Sequence, residues 1–259
     1  MELTRLLLIL STVAFMAGVV HAITALRAGR WQENKWHFFP MAVGFAFQCA
    51  FLYLRGEMHA RCPLTSQFEV FIFIGWCIVL LYFLVGATYR LSLLGLFTAP
   101  LIAILQTLAL FMPDNPGSVK HVKMSVWEHL HAPLAMIAYA AFALACITGV
   151  MFLLQDHLLK KHRIHALFRQ LPPIHHLSRA IMRMVALGVL LLAVAMMSTF
   201  KIHLPISTVK MTVSWGILGL YTVILLLMWR HTLSARHTAW LSVVGFLVPF
   251  LSLWVVIGR

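Results

Sequence analysis

Apolar residues fill eight long runs along this chain, separated by short polar segments. A membrane-spanning helix needs about 20 largely apolar residues, and these runs have that length. No alternation with a period of two suggests a barrel strand, and a helix satisfies its own backbone hydrogen bonds in lipid. The sequence therefore predicts an all-α, polytopic integral membrane helical bundle with about eight transmembrane helices, at residues 3–26, 37–55, 66–88, 91–112, 131–155, 180–200, 211–229 and 238–257.

The composition excludes a soluble globular protein. Of the 259 residues, 62% are hydrophobic and only 10% are charged, whereas soluble domains are about half apolar and a quarter charged. The first apolar run resembles a signal peptide, but no small-residue cleavage site follows it. We expect a single transmembrane domain over residues 1–259, with an amphipathic surface helix in the polar connection 156–179.

The formal net charge of +13 indicates a membrane orientation rather than nucleic-acid binding. If the connection 156–179 is cytoplasmic, the inner segments hold twelve of the twenty Lys and Arg residues. This bias predicts a bacterial-type plasma (inner) membrane protein with both termini outside. Membrane lipids are then expected partners, because basic residues at the inner surface attract anionic headgroups.

Four cysteines are spread along the chain, and three of them lie in predicted spans. No CxxC or CxxCH sequence occurs. The pattern argues against a thiol redox pair and against c-type haem attached covalently to this chain.

Polar residues in two spans have structural interpretations. Ser66 can cap the third span, and Glu69 at its third position would complete a capping box. Alternatively, Glu69 is the partner of an outer His or Arg, since a carboxylate in a span is costly without one. In the fourth span, Pro100 predicts a kink and Gln106 a hydrogen bond between helices.

Among the fourteen histidines, His131 is the strongest candidate for chemistry, because it begins the fifth span. Glu128 lies three residues earlier on the same helical face and can accept a hydrogen bond from the imidazole. Tyr139, eight residues further on, returns to roughly that face. His129 projects elsewhere. The alternative for His131 is an ordinary interfacial side chain.

Several short sequences resemble the CcsA/HemX-like cytochrome c assembly family. They occur in the family's order and cover nearly the whole chain. They are Arg-Cys-Pro-Leu-Thr-Ser-Gln-Phe-Glu at 61–69, Gly-Leu-Phe-Thr-Ala-Pro at 95–100, His131 with Pro133 and Tyr139, Leu-Pro-Pro at 171–173, and Lys210 followed by Ser214 and Trp215.

The resemblance implies haem handling. Full members carry haem across the membrane and present it at the outer face to apocytochrome c, together with a ResB/Ccs1-like membrane partner. His131 matches the family's outer histidine, so it is the implied haem-iron ligand, and Glu128 and Tyr139 join it as cofactor-site residues. His203 is the best substitute for a second outer ligand, and His121 and His129 are the alternatives.

The chain departs from the family pattern at two places. The connection 201–210 contains no Trp, although full members carry a Trp-rich haem loop there. Gln48 stands where the family has a histidine in the second span. The chain therefore resembles a compact, HemX-like member.

Three functions remain open from the sequence. The first is a membrane haem-handling factor in cytochrome c biogenesis. Any enzymatic activity of this factor would be at most like that of a haem lyase. The second is a non-catalytic, HemX-like scaffold or regulator. The third is a haem b-bearing membrane anchor of a quinol-oxidising complex, which would normally need histidine pairs inside the spans.

Overall fold

The computed structural model describes residues 2–27, 38–59, 62–64, 66–89, 94–112, 126–161, 173–201, 208–230 and 232–257. All regular structure in these ranges is helical. The helices are α1 (Glu2–Arg27), α2 (Phe38–His59), α3 (Gln67–Tyr89), α4 (Leu94–Phe111), α5 (Val126–Lys160), α6 (Ile174–Thr199), α7 (Thr208–Trp229) and α8 (Ala235–Ile257).

All eight helices are long and apolar enough to cross a membrane. The predicted all-α membrane bundle is confirmed, and the protein is a multi-pass membrane protein. The ends of α5 and α6 differ from the prediction, because both helices continue into the polar connection at 156–179. Hydropathy marks only the apolar part of a helix, whereas its backbone bonds continue where the side chains become polar. Residues 162–172, the rest of the predicted surface helix, lie outside the described residues.

The helices fall into two compact units. Unit 1 comprises residues 1–117 and 158–172, and unit 2 comprises residues 118–157 and 173–259. In unit 1, α1 packs against α2 and α4, and α3 packs against α4. The predicted role of Gln106 is confirmed, since its Nε2 donates to Ser11 Oγ at 3.1 Å and its Oε1 accepts from Thr12 Oγ1 at 3.2 Å. These bonds join α4 to α1.

The start of α3 carries a cap and a buried ion pair. The backbone N–H of Glu69 donates to Ser66 Oγ at 3.2 Å, which confirms the predicted cap. The Glu69 carboxylate also pairs with the Arg55 guanidinium at the end of α2, with Nε and Oε1 3.6 Å apart. The Ser66 cap and the Arg partner expected for Glu69 are therefore confirmed, whereas the capping box, in which the Glu69 side chain accepts from the Ser66 N–H, stays a prediction.

In unit 2, α5 packs closely against α6, α7 and α8. The Phe142 ring stacks on Tyr221 of α7, with 3.6 Å between the ring centroids. Phe142 also lies against Gly188 of α6, where a Cβ would clash with the ring. Gly149 approaches α8, and a Cβ there would be 2.9 Å from the Ala239 carbonyl oxygen. Small residues thus allow these helices to approach each other closely.

Candidate functional site

His131 lies in the second turn of α5, where that helix meets the end of α6. Its Nδ1 is 2.7 Å from the carbonyl oxygen of Ala195 and 3.2 Å from Ser198 Oγ. Ser198 Oγ itself donates to the same carbonyl at 2.6 Å. The side chain of His131 is half-buried. The end of unit 2 therefore holds one imidazole in a defined orientation.

The Ala195 carbonyl determines which nitrogen of His131 carries the proton. A carbonyl oxygen only accepts hydrogen bonds, so Nδ1 must be the donor. In the neutral imidazole, Nε2 then has the free lone pair. A metal-bound histidine has this arrangement, in which one ring nitrogen donates to a backbone carbonyl and the other binds the metal.

Tyr139 is buried in unit 2, about 12 Å along α5 from His131 at the usual helical rise. Its hydroxyl lies near the hydroxyls of Ser214 in α7 and Ser252 in α8. Tyr139 thus lies among three helices of unit 2, and the binding role predicted for it stays a prediction.

Two other predicted site residues have no described side chain. Glu128 belongs to the first turn of α5, but its side chain lies outside the described residues. His203 falls in the connection 202–207, which also lies outside them. The distance of either side chain from His131 is therefore not described, and both assignments stay predictions.

Gln48 in α2 is the residue that the family resemblance pairs with a histidine in the second span. Its side chain is fully buried. Neither its Oε1 nor its Nε2 has a hydrogen-bond partner among the residues that the structure describes. Gly75 of α3 faces it, because a Cβ there would lie 3.4 Å from Gln48 Nε2. This position therefore holds an amide in an apolar setting and no imidazole.

Within the described ranges, no group of three His, Cys, Asp or Glu side chains is arranged to hold a metal ion. A haem iron needs only axial ligands from the protein, because the macrocycle supplies the other donors. The lone pair that the Ala195 contact leaves on His131 Nε2 fits that requirement.

Sequence reasoning missed the partners of His131 and Tyr139. Ala195 contributes only its backbone, so its side chain gives no signal. Ser198, Ser214 and Ser252 are short hydroxyl residues near the ends of spans, and such residues commonly bond within their own helix. Ser252 illustrates this, because its Oγ donates to the Pro249 carbonyl at 2.7 Å.

Fold and site together define a polytopic helical membrane protein with an oriented histidine at one end of a helical unit. Residues 64–199, more than half of the chain, match the family model described as Cytochrome C assembly protein. The chain belongs to this family. The CcsA/HemX-like resemblance is thereby confirmed, and proteins named for both branches are among its relatives.

Three relatives illustrate the range of similarity. The chain is 31% identical over 157 residues to Protein HemX of Brevibacillus brevis, covering 60% of this chain and 58% of that protein. It is 28% identical over 106 residues to Cytochrome c biogenesis protein CcsA of Chlorella vulgaris, covering 39% and 34%. It is 25% identical over 134 residues to Protein HemX of Bacillus subtilis (strain 168), covering 51% and 49%. The chain thus spans less than two thirds of each of these relatives.

Proposed function

We propose that this protein is a membrane haem-handling factor in cytochrome c biogenesis, with His131 as an axial ligand of the haem iron. Membership of the cytochrome c assembly family supports the first part. The observation that carries the second part is the 2.7 Å contact between His131 Nδ1 and the Ala195 carbonyl oxygen, which places the proton on Nδ1 and the lone pair on Nε2. Neutral imidazole is a common axial ligand of haem iron.

When bound, haem supplies the iron that the imidazole ligates and the macrocycle that is handed on. The protein's own task is to hold, orient and release it. The Ala195 carbonyl fixes the orientation of the imidazole ring, so the His131 side chain loses little conformational entropy when haem binds. Glu128 and Tyr139 would complete the haem surroundings as further cofactor-site residues.

His203 is the proposed second axial ligand. It lies five residues after Ser198, whose Oγ is 3.2 Å from His131 Nδ1. Phe200 and Lys201 form a turn at the end of α6, so only two residues lead from Lys201 to His203. Two residues extend to about 7 Å, which keeps His203 near the end of α6 that contacts His131.

We place the haem site at the outer face of a bacterial-type plasma membrane, with both termini outside. The support is the excess of Lys and Arg on the opposite connections. Apocytochrome c is then the receiving partner, and a ResB/Ccs1-like membrane protein is the accompanying subunit.

A second function, a HemX-like scaffold or regulator without haem, has support from Gln48. This residue replaces the histidine that the family resemblance implies, and its buried amide has no partner among the described residues. A protein that has lost one haem position can retain the fold for another purpose.

Absorption spectra of the purified protein distinguish these functions. We expect the wild type to bind haem with the spectrum of an imidazole-ligated iron and His131→Ala to lose that spectrum. His157→Ala is the matched control, because His157 is exposed on the same helix near its other end. An unchanged spectrum in His131→Ala would refute the ligand assignment. A wild type without haem would favour the scaffold, and a haem reduced by quinol would favour the membrane anchor.

A further inference from the structure

Trp127 lies one helical turn before His131 on α5. The helix begins at Val126, so both residues belong to its regular part. Side chains four residues apart share a helical face, with Cβ atoms about 5–6 Å apart. Trp127 and His131 are therefore neighbours at the end of unit 2.

The direction of helical side chains strengthens this relationship. Each side chain leans toward the N-terminus and covers the turn before its own Cα. The imidazole of His131 consequently leans toward the turn that carries Trp127. Its Nδ1 faces Ala195 of α6, and Nε2 is on the other side of the ring.

About half of Trp127 is accessible at the surface of the described residues, since the residue is 48% exposed. An exposed Trp near a span end is commonly a membrane-interface anchor. Trp127 differs from such an anchor in its position beside an imidazole whose Nδ1 donates to a carbonyl and whose Nε2 therefore carries the lone pair. A macrocycle held at Nε2 would extend beyond the imidazole, and Trp127, one turn away on the same helical face, would be in reach of its edge.

Another aromatic pair at this end of unit 2 does not compete for this role. Phe200 and Trp215 have ring centroids 6.4 Å apart. Phe200 follows Ala195 by five residues, which at 3.6 residues per turn places it on a different face of α6 from the carbonyl and hydroxyl that contact His131. Trp127 is therefore the aromatic residue that helical spacing places next to the imidazole.

We propose that Trp127 is a positioning residue that stacks on the porphyrin macrocycle held at His131. This inference rests on the proposed function. It also gives this compact chain an aromatic surface for the macrocycle, although the connection 201–210 contains no Trp. Stacking acts on the macrocycle, whereas His131 acts on the iron, so the two contributions are separable.

Titration with metal-free protoporphyrin IX tests the stacking without the iron. The purified full-length apoprotein would be titrated in detergent, with porphyrin fluorescence anisotropy as the readout. We expect Trp127→Ala to weaken binding roughly three- to tenfold, the range of one aromatic contact, and Trp127→Phe to weaken it less.

Trp240→Ala is the matched control, because Trp240 is 49% exposed on α8. Equal affinities of Trp127→Ala and Trp240→Ala would overturn the proposal, as would a wild type that does not bind metal-free porphyrin. The proposed function fails by a different result, namely an unchanged haem spectrum in His131→Ala. The two failures are therefore distinguishable.

Discussion

Arg55 and Glu69 form an ion pair in the interior of unit 1. Their Nε and Oε1 atoms are 3.6 Å apart, and the two side chains are 4% and 0% exposed. This separation exceeds hydrogen-bond length, so this particular contact is Coulombic. The guanidinium also lies 5.7 Å from the ring centroid of Phe51 and 5.3 Å from that of Phe68, within the range of cation–π attraction.

Removal of one charge from this pair should be strongly destabilising. Glu69→Gln would leave the Arg55 guanidinium buried without its carboxylate, and such changes cost about 3–5 kcal/mol. The free energy of unfolding in mixed detergent micelles measures the effect. Asp156→Asn is the control, because its partner Arg236 is 58% exposed and exposed pairs contribute only about 0–1 kcal/mol. Similar losses in both variants would contradict this account.

Two buried glutamines in unit 1 should respond oppositely to the same substitution. Gln106 bonds to Ser11 and Thr12, so Gln106→Leu removes two interhelical bonds and should destabilise by about 0.5–2 kcal/mol. Gln48 has no partner among the described residues. Gln48→Leu should therefore stabilise unit 1 by about 1–3 kcal/mol, the usual cost of an unsatisfied buried polar group. Unfolding in mixed micelles measures both effects.

A destabilised Gln48→Leu variant would show that the amide has a partner in the membrane, such as a bound water. Gln48→Met provides a second test, since the Met side chain has nearly the same length as that of Gln and carries no amide. The two apolar variants should agree in sign.

Gly188 should not tolerate a side chain. A Cβ there would clash with the Phe142 ring. That ring cannot move away easily, because it is fully buried and stacked on Tyr221. Gly188→Ala should therefore cost about 1–3 kcal/mol, as overpacking does. Because the change pushes α6 from α5, it should also weaken haem binding through the His131–Ala195 contact.

The matched control for Gly188 is Gly219→Ala in α7, where nothing lies within 4 Å of the added Cβ. That change should be neutral or stabilising by about 0.5–1 kcal/mol, because Ala favours helix over Gly. Gly188→Ala with Phe142→Leu should recover part of the loss. A tolerated Gly188→Ala combined with a harmful Gly219→Ala would contradict the packing described for unit 2.

Cys62 should react with maleimide only slowly at pH 8. Burial raises the pKa of the Cys62 thiol above its ordinary value, and the Glu69 carboxylate raises it further. Since the thiolate is the nucleophile, a raised pKa leaves less of it at pH 8, and the rate should keep rising above pH 9. Mass spectrometry of the labelled protein gives the rate, and Cys62→Ser identifies the signal.

The same labelling reports the orientation in the membrane. With both termini outside, an impermeant maleimide should reach Cys62 in intact cells at high pH. If labelling of Cys62 requires permeabilised cells, both termini are inside rather than outside. A rate that levels off well below pH 9 would contradict the raised pKa.

The fold was predictable because the membrane imposes it. Uninterrupted apolar runs allow only spanning helices, and all eight were found in the sequence. The helix ends were not predictable to the same degree, as α6 shows by beginning at Ile174 rather than at 180. Hydropathy changes where the lipid ends, but a helix ends where capping and packing end it.

The candidate site was predictable at His131 but not around it. An ionisable side chain at the start of a span is conspicuous in a sequence. Glu69 is conspicuous for the same reason, and the sequence predicted an outer His or Arg as its partner without identifying Arg55. The contact with Ala195 depends on how α5 and α6 are placed side by side. His131 and Ala195 are 64 residues apart in the chain, and no local sequence pattern indicates a contact over that separation.

The acceptor for His131 is a main-chain atom, and this has a consequence for mutational scanning. Position 195 should accept several small residues without losing the acceptor, since every residue has the same carbonyl. A mutational scan would therefore show tolerance at position 195 for any side chain that is small enough to fit there. Insertion or deletion of one residue in α6 should be far more damaging, because it rotates that carbonyl about 100° away from the imidazole.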